Sequence, residues 1–269
     1  MIPGRLIHHT NFPSHQVPAR PVDVWLPPGY DAARPYPVLY MHDGQNLFDP
    51  ALAYGGVTWG VAEALTQLIT DGVAPPTIVV GVWNAGGRRW QEYLPQRPFA
   101  SPAGQRALAA IDPTFLPGPP DSDAYLRFLV TEVKPFIDHT YATRPEREHT
   151  FTMGSSMGGL ISLYALCAYP DLFGGAGCVS THWPAVGGVL PELLKQLPPA
   201  GRHRLYFDFG SEELDAQYEP FQQQADILIA AAGYTQGQDW ITHKFPGANH
   251  SEQAWRQRVH IPLTFLLSN

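Results

Sequence analysis

Cysteine, positive charge and long apolar runs are all scarce in this 269-residue chain, and each scarcity removes a class of function. Two cysteines, Cys167 and Cys178, are too few for a disulfide framework and form no C-x-x-C pair, so both are expected as reduced core residues. No H-E-x-x-H occurs, and neither a metal nor any other cofactor is expected. Lysine and arginine number 17 against 24 acidic residues, a net charge of −7 that disfavours nucleic acid and anionic membrane as partners. No apolar stretch approaches the roughly 18 residues of a membrane-spanning helix. The opening Met1-Ile2-Pro3-Gly4-Arg5 lacks the charged-then-apolar pattern of a secretory signal, which makes a cytoplasmic location the expectation. The length and the 44% hydrophobic content suit one well-buried core, so residues 1–269 are read as a single domain. Oligomeric state leaves no trace in the sequence.

Proline and glycine, by contrast, are plentiful, at 28 and 25 residues, and they punctuate a regular succession of elements. Residues 22–26 alternate like a strand and end at Pro27-Pro28-Gly29. Residues 38–41 and 77–83 are continuous apolar runs, as suits parallel strands covered on both faces. Helical spacing over 59–69 and 125–139 separates further strands at 149–153, 176–180, 205–209 and 240–245. Helices are expected from Leu160, over 220–232, and from Ser251 onward. Alternation of strand and helix from residue 38 to the end predicts a mostly parallel sheet with helices on both faces. Residues 96–122 break the rhythm with six prolines and only a weak helical stretch near 105–111. A loop so long is expected to be a flap over a site.

The chemistry centres on Gly154-Ser155-Ser156-Met157-Gly158-Gly159. A serine hydroxyl is a poor nucleophile unless a tight turn presents it beside a base and an anion-stabilising site. Glycines 154 and 158 bracket Ser156 in the G-x-S-x-G spacing of such a turn. A β-branched, aromatic run precedes the motif, and Leu160, Leu163, Tyr164 and Cys167 follow at one helical face. The base must follow the last strand, which selects His250 in the turn-rich loop Gly247-Ala248-Asn249-His250 from eleven histidines. His182 comes too early and is expected to line the pocket, while His243 and His260 fall inside regular elements and are expected to be structural. Three carboxylates in Gly210-Ser211-Glu212-Glu213-Leu214-Asp215 compete to orient the base, with Glu213 ranked before Glu212 and Asp215. The oxyanion site is expected from the backbone N–H groups of Met157 and Gln45, with Gly44 letting the chain turn inward. His42 and Asp43 are expected to shape that loop by hydrogen bonding. Aromatic side chains Phe48, Trp59, Trp83 and Trp183 are candidates for the pocket wall. Arg89 and Glu92 are read as a structural ion pair rather than pocket groups.

Four segments together resemble the esterase D-like, or "putative esterase", family of α/β hydrolases. They are Leu26-Pro27-Pro28-Gly29-Tyr30, the run from Tyr40 through Asp43-Gly44-Gln45-Asn46 to Asp49, Arg89-Trp90-Gln91-Glu92-Tyr93-Leu94-Pro95, and the Ser156 hexapeptide. That family includes S-formylglutathione, feruloyl, acetyl-xylan-type and siderophore esterases and the antigen 85 mycolyltransferases. The resemblance runs from about residue 22 to the C-terminus and implies the α/β-hydrolase fold with a Ser–acid–His triad. It falls on Ser156, the 210–215 loop and His250, with the acid three residues past a strand-ending glycine, hence Glu213. The Asp-Gly-Gln of the 43–45 loop is similar to the siderophore branch, while His42 is more like sugar-ester and general esterases. The resulting expectation is a serine esterase acting through an acyl-enzyme on a small-molecule ester, an acylated sugar or aromatic ester being candidates. The alternatives are an acyltransferase with the same triad and a catalytically silent binding module.

Overall fold

A computed structural model describes residues 2–268. Eight strands form one sheet: β1 (Arg5–Phe12), β2 (Arg20–Leu26), β3 (Val38–His42), β4 (Ile78–Val82), β5 (Thr150–Ser155), β6 (Gly175–Val179), β7 (Arg204–Gly210) and β8 (Trp240–Phe245). Their order across the sheet is β1-β2-β4-β3-β5-β6-β7-β8. β1 and β2 run antiparallel at one edge, and every pairing from β4 to β8 is parallel. Among the described residues, ten α-helices surround it: α1 (Val61–Thr70), α2 (Arg89–Tyr93), α3 (Pro102–Ala109), α4 (Ser122–Phe128), α5 (Lys134–Thr140), α6 (Met157–Ala168), α7 (Leu190–Leu194), α8 (Glu219–Ala231), α9 (Glu252–Arg258) and α10 (His260–Leu267).

Strand alternation sorts side chains onto two cores. Val24, Tyr40 and Val80 face a layer that includes Leu126, Ile137, Leu160, Leu190 and Ile229 from α4 to α8. Their neighbours Trp25, Leu39 and Val79 face Val61, Leu65, Trp255 and Leu263 from α1, α9 and α10. Both faces are therefore covered, and the protein has the α/β-hydrolase fold. Helix α6 lies at the centre, buried from Met157 through Cys167. Both cysteines are buried and unpaired.

Three departures from the expected elements have local causes. Strand β1 was not anticipated because most of its residues are exposed or half-buried and it carries no apolar run. The single helix expected over 125–139 is broken by a π-turn at Leu129–Val133 between α4 and α5. Pro135 lacks the N–H that would bond back to residue 131, so the ladder widens there. Residues 96–122 contain α3, capped by Ser101, whose side chain accepts from Gly104 N–H at 3.0 Å. Beyond α3, Phe115 stacks on Trp90 at 5.2 Å between ring centroids. No helix among the described residues is long and apolar enough to cross a membrane.

Candidate active site

Strand β5 ends beneath α6 with only Ser156 between them, and the backbone pays for that sharp reversal. Ser156 sits at φ 59° and ψ −122°, a conformation that costs a non-glycine residue about 1–3 kcal/mol. Backbone bonds hold it: Ser156 N–H donates to Val179 O at 2.9 Å, and Ser156 O accepts from His182 N–H at 3.1 Å. Gly154 is required by the crossing, since a Cβ there would lie 2.8 Å from the Gly158 carbonyl.

His250 lies between β8 and α9, as the sequence reading expected, with its Nδ1 2.5 Å from an Asp215 Oδ1. Its ring is held edge-on between Trp255 at 5.0 Å and Tyr218 at 5.7 Å. The carboxylate beside it is thus Asp215, one of the two candidates ranked behind Glu213. Glu213, ranked first, is exposed and accepts a 3.3 Å bond from Asn249, while Glu212 is exposed and accepts from Ser211. The reason is the short helical turn Glu213–Gln217, which brings residue 215 rather than 213 back under the end of β7. There Asp215 accepts from Gly210 N–H at 2.7 Å and from Ser180 Oγ at 2.6 Å. Burial alone would raise its pKa, but the bonds from His250, Ser180 and Gly210 hold it below the usual carboxylate range.

Ser180 supports Asp215 in a way sequence patterns do not announce. Its hydroxyl donates to Asp215 and accepts from Trp255 Nε1 at 3.0 Å and Arg258 Nη2 at 2.8 Å. One donor and two lone pairs are all used. Arg258 is in turn paired with buried Asp208 at 3.1 Å.

Ser156 and His250 line the same cavity of about 410 Å³. No direct hydrogen bond joins them among the described residues; Tyr218 packs edge-on against His250 beside them. Tyr218 is fully buried and its hydroxyl lies 2.7 Å from His182 Nδ1. Burial, reinforced by the Asp215 charge, raises the Tyr218 pKa, so the phenol keeps its proton. Burial, with the nearby His250 and Arg89, lowers His182 to about 4 and leaves it neutral near pH 7. The sequence reading expected His182 to line the pocket, but it is not among the residues around this cavity; that reading gave no place to Tyr218, an ordinary aromatic at the start of α8.

Met157 opens α6 and Gln45 lies in the turn Gly44–Asn46, so each N–H belongs to a first helical turn with no acceptor behind it. The inward turn falls on Asp43, at φ 57°, rather than on Gly44. Gly44 is needed for proximity instead, because a Cβ there would lie 2.5 Å from the Gly81 carbonyl carbon. Asp43 accepts Arg89 in a fork, Nε and Nη2 both at 2.7 Å, together with Asn84 Nδ2 at 2.7 Å. Burial opposes the Asp43 charge, yet Arg89 and Asn84 hold its pKa down. His42 points into the core towards Tyr125 OH at 2.7 Å and Thr152 Oγ1 at 3.1 Å, and burial lowers its pKa to about 4.

Arg89 and Glu92 are not paired with each other: Arg89 lines the cavity, whereas Glu92 is buried against Arg20 at 2.6 Å. The two side chains leave α2 in different directions, one towards β3 and one towards β2. The aromatic wall also differs from expectation. Phe48 and Trp59 are buried in the core, Trp83 Nε1 donates to Asp23 at 2.8 Å, and buried Trp183 donates to Gln222 at 2.8 Å. The cavity is lined instead by Gln45, Asn46, Asn84, Arg89 and Glu252, with Leu52, Tyr54 and Trp255 as its apolar parts. Burial and the Asp43 charge raise the pKa of Glu252.

Comparison with known proteins gives this geometry its family. A model of the family described as "Putative esterase" matches residues 18–261. Over 200 residues the chain is 26% identical to the uncharacterized protein YbbA of Bacillus subtilis (strain 168), covering 74% of this chain and 71% of YbbA. It is 28% identical over 159 residues to the ferri-bacillibactin esterase BesA of the same organism, covering 55% of this chain and 49% of BesA. Its fold matches an IroE-like serine hydrolase from Shewanella oneidensis with a TM-score of 0.71 at 20% identity, over 96% of this chain and 78% of the other. With eight strands in the order described, a serine-bearing turn after β5 and a match over most of its length, the chain belongs to the putative esterase family and is a carboxylic ester hydrolase.

Proposed function

We propose that the chain cleaves esters through an acyl-enzyme, with Ser156 as nucleophile, His250 as base and Asp215 as the carboxylate that orients it. The observation that carries this reading is the strained Ser156 facing the cavity it shares with His250, whose Nδ1 is tied to Asp215 at 2.5 Å. Donation of Nδ1–H to Asp215 leaves the Nε2 lone pair for the Ser156 proton. Ser156 Oγ then attacks the ester carbonyl, and the Met157 and Gln45 N–H groups accept the charge that develops on its oxygen. His250 returns the proton to the leaving alcohol, and water repeats the sequence to free the acid. The Ser156–His250 hydrogen bond is expected to form as substrate enters; bonds of this kind commonly tighten only in the substrate complex.

The polar lining points to a small ester rich in hydroxyl or carboxyl groups, such as a phenolic or sugar ester. Residues 96–122, expected as a flap, contribute no residue to the wall of this cavity; their Phe115 stacks on Trp90, which meets His182 edge-on at 5.4 Å. A panel of p-nitrophenyl, feruloyl, acetyl-sugar, formylglutathione and catecholate esters, run with intact protein and Ser156→Ala, tests the reading. Turnover of at least one ester that disappears in Ser156→Ala supports it; equal turnover by both proteins contradicts it.

A further inference from the structure

At the opposite end of the parallel strands, far along the sheet from Ser156, lies a second cavity of about 380 Å³. Its walls come from the segment before β5, the turn before β7, the approach to β8 and the end of α10. Four arginines converge on it, Arg144, Arg147, Arg202 and Arg204, in a chain whose net charge is −7. Two carboxylates, Glu148 and Asp239, also line it.

The arginines are poorly matched by what surrounds them. Among the described residues, no ion pair within 4.0 Å uses Arg144, Arg202 or Arg204; only Arg147 has one, with Glu148. Arg204 spends Nη1 on the backbone carbonyls of Phe265, Leu266 and Ser268, which neutralise none of its charge. Arg147 has a buried Nε without a partner. His203, only 5% exposed, donates from Nε2 to Pro170 O at 2.9 Å and leaves a buried Nδ1 without a partner. A ring that donates from Nε2 carries its lone pair on Nδ1 when neutral. The cavity thus offers several guanidinium donors, while His203 Nδ1 is sealed beneath its wall. Guanidinium charge that carboxylates leave unneutralised favours an anion in the site.

We propose that this cavity binds a small, multiply charged oxyanion, such as a phosphate monoester or a polycarboxylate. The guanidinium groups of Arg144, Arg147, Arg202 and Arg204 take the charged oxygens. The site stands apart from the ester chemistry and holds whatever ester Ser156 cleaves.

Isothermal titration of the intact protein with inorganic phosphate, sulfate, citrate and tricarballylate tests this. Phosphate and sulfate stand for one ligand source, citrate and tricarballylate for the other. The site predicts saturable binding of at least one of these anions, weakened by added salt as exposed guanidinium contacts are. The exposed changes Arg144→Glu and Arg202→Glu, which disturb no core packing, are expected to weaken that binding by roughly tenfold or more. Arg106→Glu, an equal charge change at an exposed arginine of α3 that does not line the cavity, is expected to leave it unchanged. Absence of binding by all four anions overturns the proposal. So does binding that ignores Arg144→Glu and Arg202→Glu, or that falls equally with Arg106→Glu.

Discussion

Two buried carboxylates flank Ser156, and their partners make them opposites. Asp43 is gripped by Arg89 through two 2.7 Å bonds, a pair in which neither member changes charge at working pH. Asp215 meets His250 through one 2.5 Å bond, which leaves the far nitrogen of the ring able to take up and release a proton. Each carboxylate sits in the loop after a parallel strand, β3 or β7. The contrast teaches that burial and an opposite charge do not by themselves make a proton relay. The partner must also be a side chain that exchanges protons readily, as imidazole does and guanidinium does not.

The largest effects test the mobile half. Ser156→Ala and His250→Ala are each expected to lower kcat by about 10⁶, read with an activated ester. Asp215→Asn is expected to cost about 10⁴ through loss of the correct tautomer, whereas Glu213→Gln stays within about twofold of wild type. Reversal of those two results would move the relay to Glu213 and dissolve the comparison.

The fixed half is tested through stability. Arg89→Gln strands Asp43 in the interior and is expected to destabilise the fold by about 3 kcal/mol in denaturant titrations. Adding Asp43→Asn to that variant should recover part of the loss. A pH dependence accompanies it. His42 titrates near 4 in the fold against 6.5 when unfolded. Below pH 6.5 the unfolded chain binds the proton that the folded one refuses, so this contribution is full above 6.5 and falls away towards 4. The loss over that window is about 3 kcal/mol for His42, and His182 adds to it in the same direction. Chemical denaturation at pH 7 and pH 4.5 reads it, and His42→Gln should flatten the slope.

The smallest expected change is Tyr218→Phe. Removing the hydroxyl costs one bond to His182 and leaves Ser156 and His250 in place, so kcat is expected to shift by less than about tenfold. A drop comparable to that of His250→Ala would instead make Tyr218 part of the proton path.

Much of the site could be read in one dimension because local backbone needs leave local marks. Ser156 needs glycines two residues away on either side, and His250 needs a turn between the last strand and helix. Asp215 left no such mark. Its place depends on a helical turn at 213–217 and on Ser180 and Gly210 reaching it from other elements, which spacing after a glycine does not encode. The same holds for Tyr218, whose importance lies in where its hydroxyl ends. Continuous apolar runs marked the parallel strands β3 and β4 because both of their faces are buried. The exposed edge strand β1 pairs through its backbone and so carries no such pattern. Aromatic count misled about the pocket, since Phe48, Trp59 and Trp183 serve the core.

The most direct test of the central claim is to treat the protein with a fluorophosphonate and locate the adduct by peptide mass spectrometry. One equivalent of label on Ser156, absent in Ser156→Ala and strongly slowed in Asp215→Asn, is the predicted result. Label on another residue, or ester turnover by a protein that takes no label at all, would contradict the account.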